Sequence, residues 1–126
     1  MTQFSARILC IEDEPYLRED LVDELRYLGH QVEEAADGQE GLDRALAKAF
    51  DLIICDILLP QLGGVQLVET LRNGGGRNAA TQVVFLTAYN DAAMAAECSR
   101  IGSSAYLLKP VQYKDLAILI EKILHQ

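Results

Sequence analysis

The chain is poor in positive charge, with 11 Lys and Arg against 19 Asp and Glu and a formal net charge of −8. That sign is wrong for gripping nucleic-acid phosphates, so DNA or RNA binding by this domain is not expected. No apolar run approaches the ~20 residues of a membrane span, and M-T-Q-F-S-A-R offers no signal-peptide core. A soluble, cytoplasmic location away from membranes is expected. Cysteine is sparse too. Cys10, Cys55 and Cys98 are odd in number, form no C-x-x-C pair and sit within apolar or helical pattern. Buried free thiols in a reducing compartment fit that usage better than a metal site. Internal repeats and low-complexity segments are absent. At 126 residues, one domain over residues 1–126 is expected, long enough to bury a real core.

What is present is an alternation of strand-like and helix-like patterns. Apolar segments of strand length fall at Arg7–Glu12, Gln31–Ala35, Asp51–Asp56, Gln82–Thr87 and Ala105–Leu108. The first, third and fourth are nearly continuous apolar runs, as parallel strands covered on both faces require. Between them run helical stripes: Leu17, Leu21, Leu25 and Leu28, entered by Pro15; Leu42, Ala45, Leu46 and Ala49; Val65, Val68 and Leu71. Leu116, Leu119, Ile120, Ile123 and Leu124 form the last stripe. Gly29, Gly74–Gly76 and Gly102 stand where helices should end. The helix expected at Asp91–Ile101 is rich in alanine, whose small side chain buries little area and anchors weakly. R-N-G-G-G-R-N at Arg72–Asn78 reads as a flexible loop. The pattern predicts an α/β fold of (βα)5 form.

One residue breaks the apolar logic. Asp56 stands inside L-I-I-C-D-I-L-L-P (Leu52–Pro60), where an unpartnered carboxylate would be costly. How the strands finish explains it. The first ends in Glu12–Asp13, the third in Asp56, the fourth in Thr87 and the fifth in Lys109–Pro110. In a parallel sheet these carboxyl ends share one edge, where ligands bind. Two carboxylates a few Å apart repel by roughly 4 kcal/mol at an effective dielectric of ~20. Three acids against one lysine therefore either retain protons at pH 7 or bind a hard cation. Oxygen ligands, few and open to solvent, suit Mg²⁺ better than a Ca²⁺ cage or Zn²⁺. A cation, an ammonium and a hydroxyl around a carboxylate are apparatus for phosphoryl transfer, with Asp56 placed as nucleophile.

These features resemble a response-regulator receiver domain, the phospho-acceptor module of two-component signalling. The resemblance rests on I-E-D-E around Glu12–Asp13, on D-x-x-x-P-x-x-x-G at Asp56, Pro60 and Gly64, on Thr87–Ala88, and on Tyr106 before Lys109–Pro110. It implies a doubly wound, flavodoxin-like three-layer sandwich whose five parallel strands take the order 2-1-3-4-5. It also implies that Asp56 accepts phosphate from a phosphohistidine on a sensor histidine kinase or a histidine phosphotransfer protein. Mg²⁺, or Mn²⁺ in its place, would be held by Asp13, Asp56 and the Leu58 backbone carbonyl, with Glu12 acting through water. Lys109 would pair with the phosphoryl oxygens beside a cis Lys109–Pro110 bond. Thr87 and Tyr106 would switch, repositioning the face of the fourth helix, fifth strand and fifth helix, a face that also offers a homodimer surface.

Gly63 departs from the family, where an acid is common, without removing a site residue. Leu58 and Tyr89 are bulky near the acceptor and are expected to obstruct hydrolytic water, prolonging the phosphorylated state. The alternatives are weaker. An aspartyl phosphohydrolase wants a second acid two residues after its nucleophile, where Leu58 stands; a turnover enzyme is therefore not expected, only a switch that catalyses its own phosphorylation and dephosphorylation. A phosphorylation-independent interaction module would not need Glu12, Asp13, Asp56, Thr87 and Lys109 together. His30 and His125 have no acid or metal companions in the pattern and receive no role.

Overall fold

Alternating strands and helices follow directly from the two periodicities. A computed structural model describes residues 5–88 and 92–125; Tyr89 and Asp91 lie outside them. Strands β1 (Arg7–Ile11), β2 (Gln31–Ala35), β3 (Leu52–Asp56), β4 (Gln82–Thr87) and β5 (Ala105–Leu108) alternate with five helices. These are α1 (Pro15–Tyr27), α2 (Gly38–Ala47), α3 (Gly64–Gly74), α4 (Ala92–Arg100) and α5 (Tyr113–Leu124). The strands form one parallel sheet in the order β2-β1-β3-β4-β5. Glu12 and Asp51, expected as strand ends, fall one residue outside their strands.

Side chains of successive strand residues point to opposite faces, so each central strand feeds two cores. Leu9, Ile11, Ile53, Cys55, Val83 and Phe85 face α2, α3 and α4. Ile8, Cys10, Leu52, Ile54, Val84 and Leu86 face α1 and α5. This double covering is why β1, β3 and β4 read as unbroken apolar runs. All three cysteines are buried free thiols, as expected.

Local chemistry starts the helices where the pattern places them. Pro15 opens α1, and the Glu14 carboxylate accepts hydrogen bonds from the N–H groups of Tyr16 and Leu17. Asp37 caps α2 by accepting from Glu40 N at 2.8 Å, while the Glu40 carboxylate accepts from Ala36 N at 2.7 Å. The two ends thus satisfy each other in the manner of a capping box.

Two helical expectations need correction. On α2 the buried face is Gly38, Gly41 and Ala45, whereas Leu46 is exposed and Ala49 lies beyond the helix. The expected Leu42 and Ala45 do pack on the core, and Gly41 lies close to β1, where a Cβ would come within 2.6 Å of Ile11 Cδ1. Leu28 is the C-cap of α1 rather than part of its last turn. On α3 the expected stripe holds, with Val68 and Leu71 buried and Val65 packed half-buried on the core, and a fully buried Leu67 joins it. α4 agrees with its composition, burying only Cys98 among its own residues, with Met94 half-buried against the core.

The stretch Arg72–Asn78 is not simply a loop. Arg72 belongs to α3 and donates to the carbonyls of Ile101, Ala79 and Gly102 at 3.1–3.2 Å. Asn78 is buried; it accepts from Phe50 N at 2.9 Å and from the Thr81 hydroxyl at 2.8 Å. Its amide nitrogen donates to the carbonyls of Ala45 and Lys48. One side chain thereby satisfies the end of α2, the entry to β3 and the approach to β4. Asn78→Ala should lower the free energy of unfolding by about 2–4 kcal/mol, since several buried polar groups lose partners. Urea denaturation checks this, and an unchanged midpoint would contradict it.

Candidate functional site

The sheet gathers the expected residues at its carboxyl edge. Asp56 and Thr87 are the last residues of β3 and β4, Glu12 and Asp13 follow β1, and Lys109 follows β5. Register keeps them level: Ile11 pairs with Cys55, Asp56 with Leu86, and Thr87 with Leu108. Lys109 N donates to the Thr87 carbonyl at 2.8 Å, extending that alignment one residue past the strand. The Lys109–Pro110 peptide is cis.

Carboxylate oxygens of Glu12, Asp13 and Asp56 all lie within 4.8 Å of one another. Glu12 has no exposed surface and Asp56 retains 5%, while Asp13 is open to solvent. The Lys109 ammonium reaches both buried acids, at 2.6 Å from Asp56 Oδ2 and 3.0 Å from Glu12 Oε1. Backbone N–H groups hold the remaining oxygens: Leu58 N donates to Asp56 Oδ1 at 3.1 Å, and Glu14 N to Glu12 Oε2 at 3.0 Å.

The electrostatics show that this compensation is incomplete. Burial pushes the Glu12 carboxyl up to about 7, with the Asp56 charge adding to it and the Glu14 N–H and Lys109 opposing. For Lys109, burial acts downward, but hydrogen bonds and charge from Asp56 and Glu12 outweigh it and the net shift is upward. One ammonium thus faces three acids that remain short of positive charge. The donor set consists of hard oxygens with one solvent-open member, which fits a small divalent cation retaining water. Cys55 lies next to Asp56 in sequence, but burial holds its thiol well above the usual range and its Sγ contacts the Asp56 carbonyl. It offers no thiolate.

Close packing accounts for the D-x-x-x-P-x-x-x-G spacing. A Cβ on Gly64 would lie 2.3 Å from the Asp56 carbonyl oxygen, and Gly64 N donates to the Ile57 carbonyl at 2.9 Å. The first turn of α3 therefore sits directly against the backbone of the acidic residue. Tyr106 is half-buried beside Phe85, its pairing partner, and packs on the apolar layer beneath the site.

Residues 8–121 match the response regulator receiver domain. The chain belongs to that family. It is 39% identical over 127 residues to the transcriptional activator protein PfeR of Pseudomonas aeruginosa, covering 97% of this chain and 39% of PfeR. Response regulator ArlR of Staphylococcus aureus is 32% identical over 120 residues, covering 95% of this chain and 53% of ArlR. The chain thus spans about half the length, or less, of these relatives. Among solved structures, the chemotaxis response regulator CheY4 of Vibrio cholerae superposes with a TM-score of 0.88 at 28% identity, over 95% of this chain and 99% of that one. A CheY-like receiver domain protein from Methanospirillum hungatei gives 0.88 at 28% identity, over 97% and 95%. The receiver domain is a phosphorylation-based signalling switch, and its sheet order is the one that the resemblance implied. Among the described residues, no helix is long and apolar enough to cross a membrane.

Arg18 is a site residue that the sequence pattern conceals, because it reads as one charge on a charged helix face. In the receiver domain its Nη1 donates to the Glu12 carbonyl at 2.9 Å and its Nε pairs with Glu34 at 3.1 Å. It ties α1 and β2 to the backbone between the two acids. Arg18→Ala should cost about 1–3 kcal/mol, the range for a lost charged partner to a buried group, and should speed amide exchange at Asp13. Arg18→Lys should recover only part, lacking the planar fork that reaches both partners. Wild-type stability and exchange in Arg18→Ala would contradict this role.

Proposed function

We propose that Asp56 is the phospho-acceptor of this receiver domain. The observation that carries the reading is the Asp56 carboxylate itself, nearly buried at the end of β3 and held from two sides by Lys109 and the Leu58 N–H. The donor is a phosphohistidine on a sensor histidine kinase or a histidine phosphotransfer protein. An Asp56 oxygen attacks phosphorus, the P–N bond breaks, and the electron pair leaves with the imidazole, which takes a proton. The product is an acyl phosphate. Mg²⁺, with Mn²⁺ as substitute, would be held by Asp13, Asp56 and the Leu58 carbonyl, with Glu12 through water, and would supply charge stabilisation for the phosphoryl oxygens. Lys109 offsets charge on those oxygens.

The domain works as a switch rather than a turnover enzyme. Phosphorylation adds about −1.5 to −2 charge, and inverting a two-state population from 1:99 to 99:1 takes roughly 5.5 kcal/mol. Thr87, buried at the end of β4, donates its hydroxyl toward the new phosphate, and Tyr106 moves further inward. The responsive surface is the α4–β5–α5 face, which also serves a homodimer. α4 suits this role because it buries so few of its own side chains. The net charge of −8 favours signalling without nucleic-acid contact by this domain, and the three buried free thiols fit a reducing, cytoplasmic setting.

Incubation with Mg²⁺ and a small acyl-phosphate donor, followed by intact mass, should add one phosphate to wild type and none to Asp56→Asn. Phosphate on the variant would overturn the assignment. Leu58 is 57% exposed beside the acceptor, so it can stand between bulk water and the acyl phosphate. Leu58→Asn should therefore lose phosphate faster than wild type; an equal lifetime would remove Leu58 as the obstruction.

A further inference from the structure

The loop that follows Asp56 is clamped at both ends. At its start, Ile57 N donates to the Leu86 carbonyl at 3.0 Å, and the Ile57 carbonyl accepts from Gly64 N at 2.9 Å. Further on, Leu62 N donates back to the Pro60 carbonyl at 2.9 Å across Gln61, whose φ is +73°. That is a γ-turn of the rare, strained kind. A non-glycine residue keeps such a conformation only where its surroundings over-determine it.

The surroundings are the first residue of α2. Gly38 N also donates to the Pro60 carbonyl, at 3.3 Å. A Cβ on Gly38 would lie 1.7 Å from the Leu62 carbonyl oxygen and 2.9 Å from Leu62 Cβ. Gly38 is not among the residues with positive φ, so contact rather than dihedral freedom demands glycine. Gly41, one turn later, faces a different neighbour: its missing Cβ would first meet the side chain of Ile11. One helix face thus carries two glycines with separate reasons, one allowing approach to the sheet and the other approach to the loop backbone.

We propose that Gly38 is a positioning residue for the cation site. By letting α2 rest on the Pro60–Leu62 turn, it holds the far end of the short segment that carries Leu58, whose near end is fixed at Ile57. The inference rests on the reading that the Leu58 carbonyl is a Mg²⁺ ligand. It adds that the ligand's position is set from α2, an element that contributes no ligand.

The test is a calorimetric MgCl₂ titration of the chain as wild type, Asp13→Asn, Gly38→Ala and Gly41→Ala, with urea unfolding of each. Gly38→Ala should bind Mg²⁺ about tenfold more weakly, as loss of outer support to a ligand does. Gly41→Ala should lose stability yet keep wild-type affinity. Wild-type affinity in Gly38→Ala, or equal weakening in both glycine variants, would overturn the proposal. Mg²⁺ binding that is absent from wild type, or unaffected by Asp13→Asn, would instead overturn the cation reading on which it rests. Should Gly38→Ala not fold, amide exchange of wild type decides. The Gly38 and Leu62 amides, which share the Pro60 carbonyl, should slow together when Mg²⁺ is added, and no change in either would sink the idea.

Discussion

Crowding of negative charge at the edge of a parallel sheet is the constraint around which this domain is organised. Glu12, Asp13 and Asp56 share a space less than 5 Å across, and Lys109 answers only part of their charge. An arrangement so short of positive charge is costly for a fold to hold. It persists because each participant is anchored by backbone: β1 and β3 run through two cores, Leu58 N and Glu14 N hold carboxylate oxygens, and Lys109 N is tied to β4. The remaining shortage of positive charge, on a set of hard oxygen donors, suits the site to a small cation.

Rigidity is distributed unevenly around that edge. On one side α2 rests on Leu62 through Gly38 and on Ile11 through Gly41, and α3 rests on the Asp56 backbone through Gly64, with Asn78 and Arg72 fastening the connections behind them. On the other side α4 presents mostly alanine, and Cys98 is its only fully buried residue. A closely packed half keeps the reacting groups in place, and a lightly packed half can respond at small energetic cost. The Arg72 contacts to Ile101 and Gly102 anchor the chain just after α4.

The family relationship covers the domain, not the whole length of the relatives. PfeR and ArlR are both considerably longer than the matched region. What a receiver domain passes on depends on the partner that reads its surface.

The amino-acid sequence by itself determined the strand and helix order, the parallel class of the sheet and the residues at its carboxyl edge. It could do so because those features depend on periodicity and on which residue ends each apolar run: Glu12–Asp13, Asp56, Thr87 and Lys109 stand out together, as the ends of four runs. Tertiary structure alone decided the features that depend on distance between separate segments. Nothing local to Gly38 announces Leu62 against it, and nothing local to Gly41 announces Ile11. Arg18 and Asn78 read as ordinary polar residues because their partners lie on other elements, at Glu12, Ala45, Lys48 and Phe50. Periodicity reports which way a side chain faces; only packing reports what it meets there.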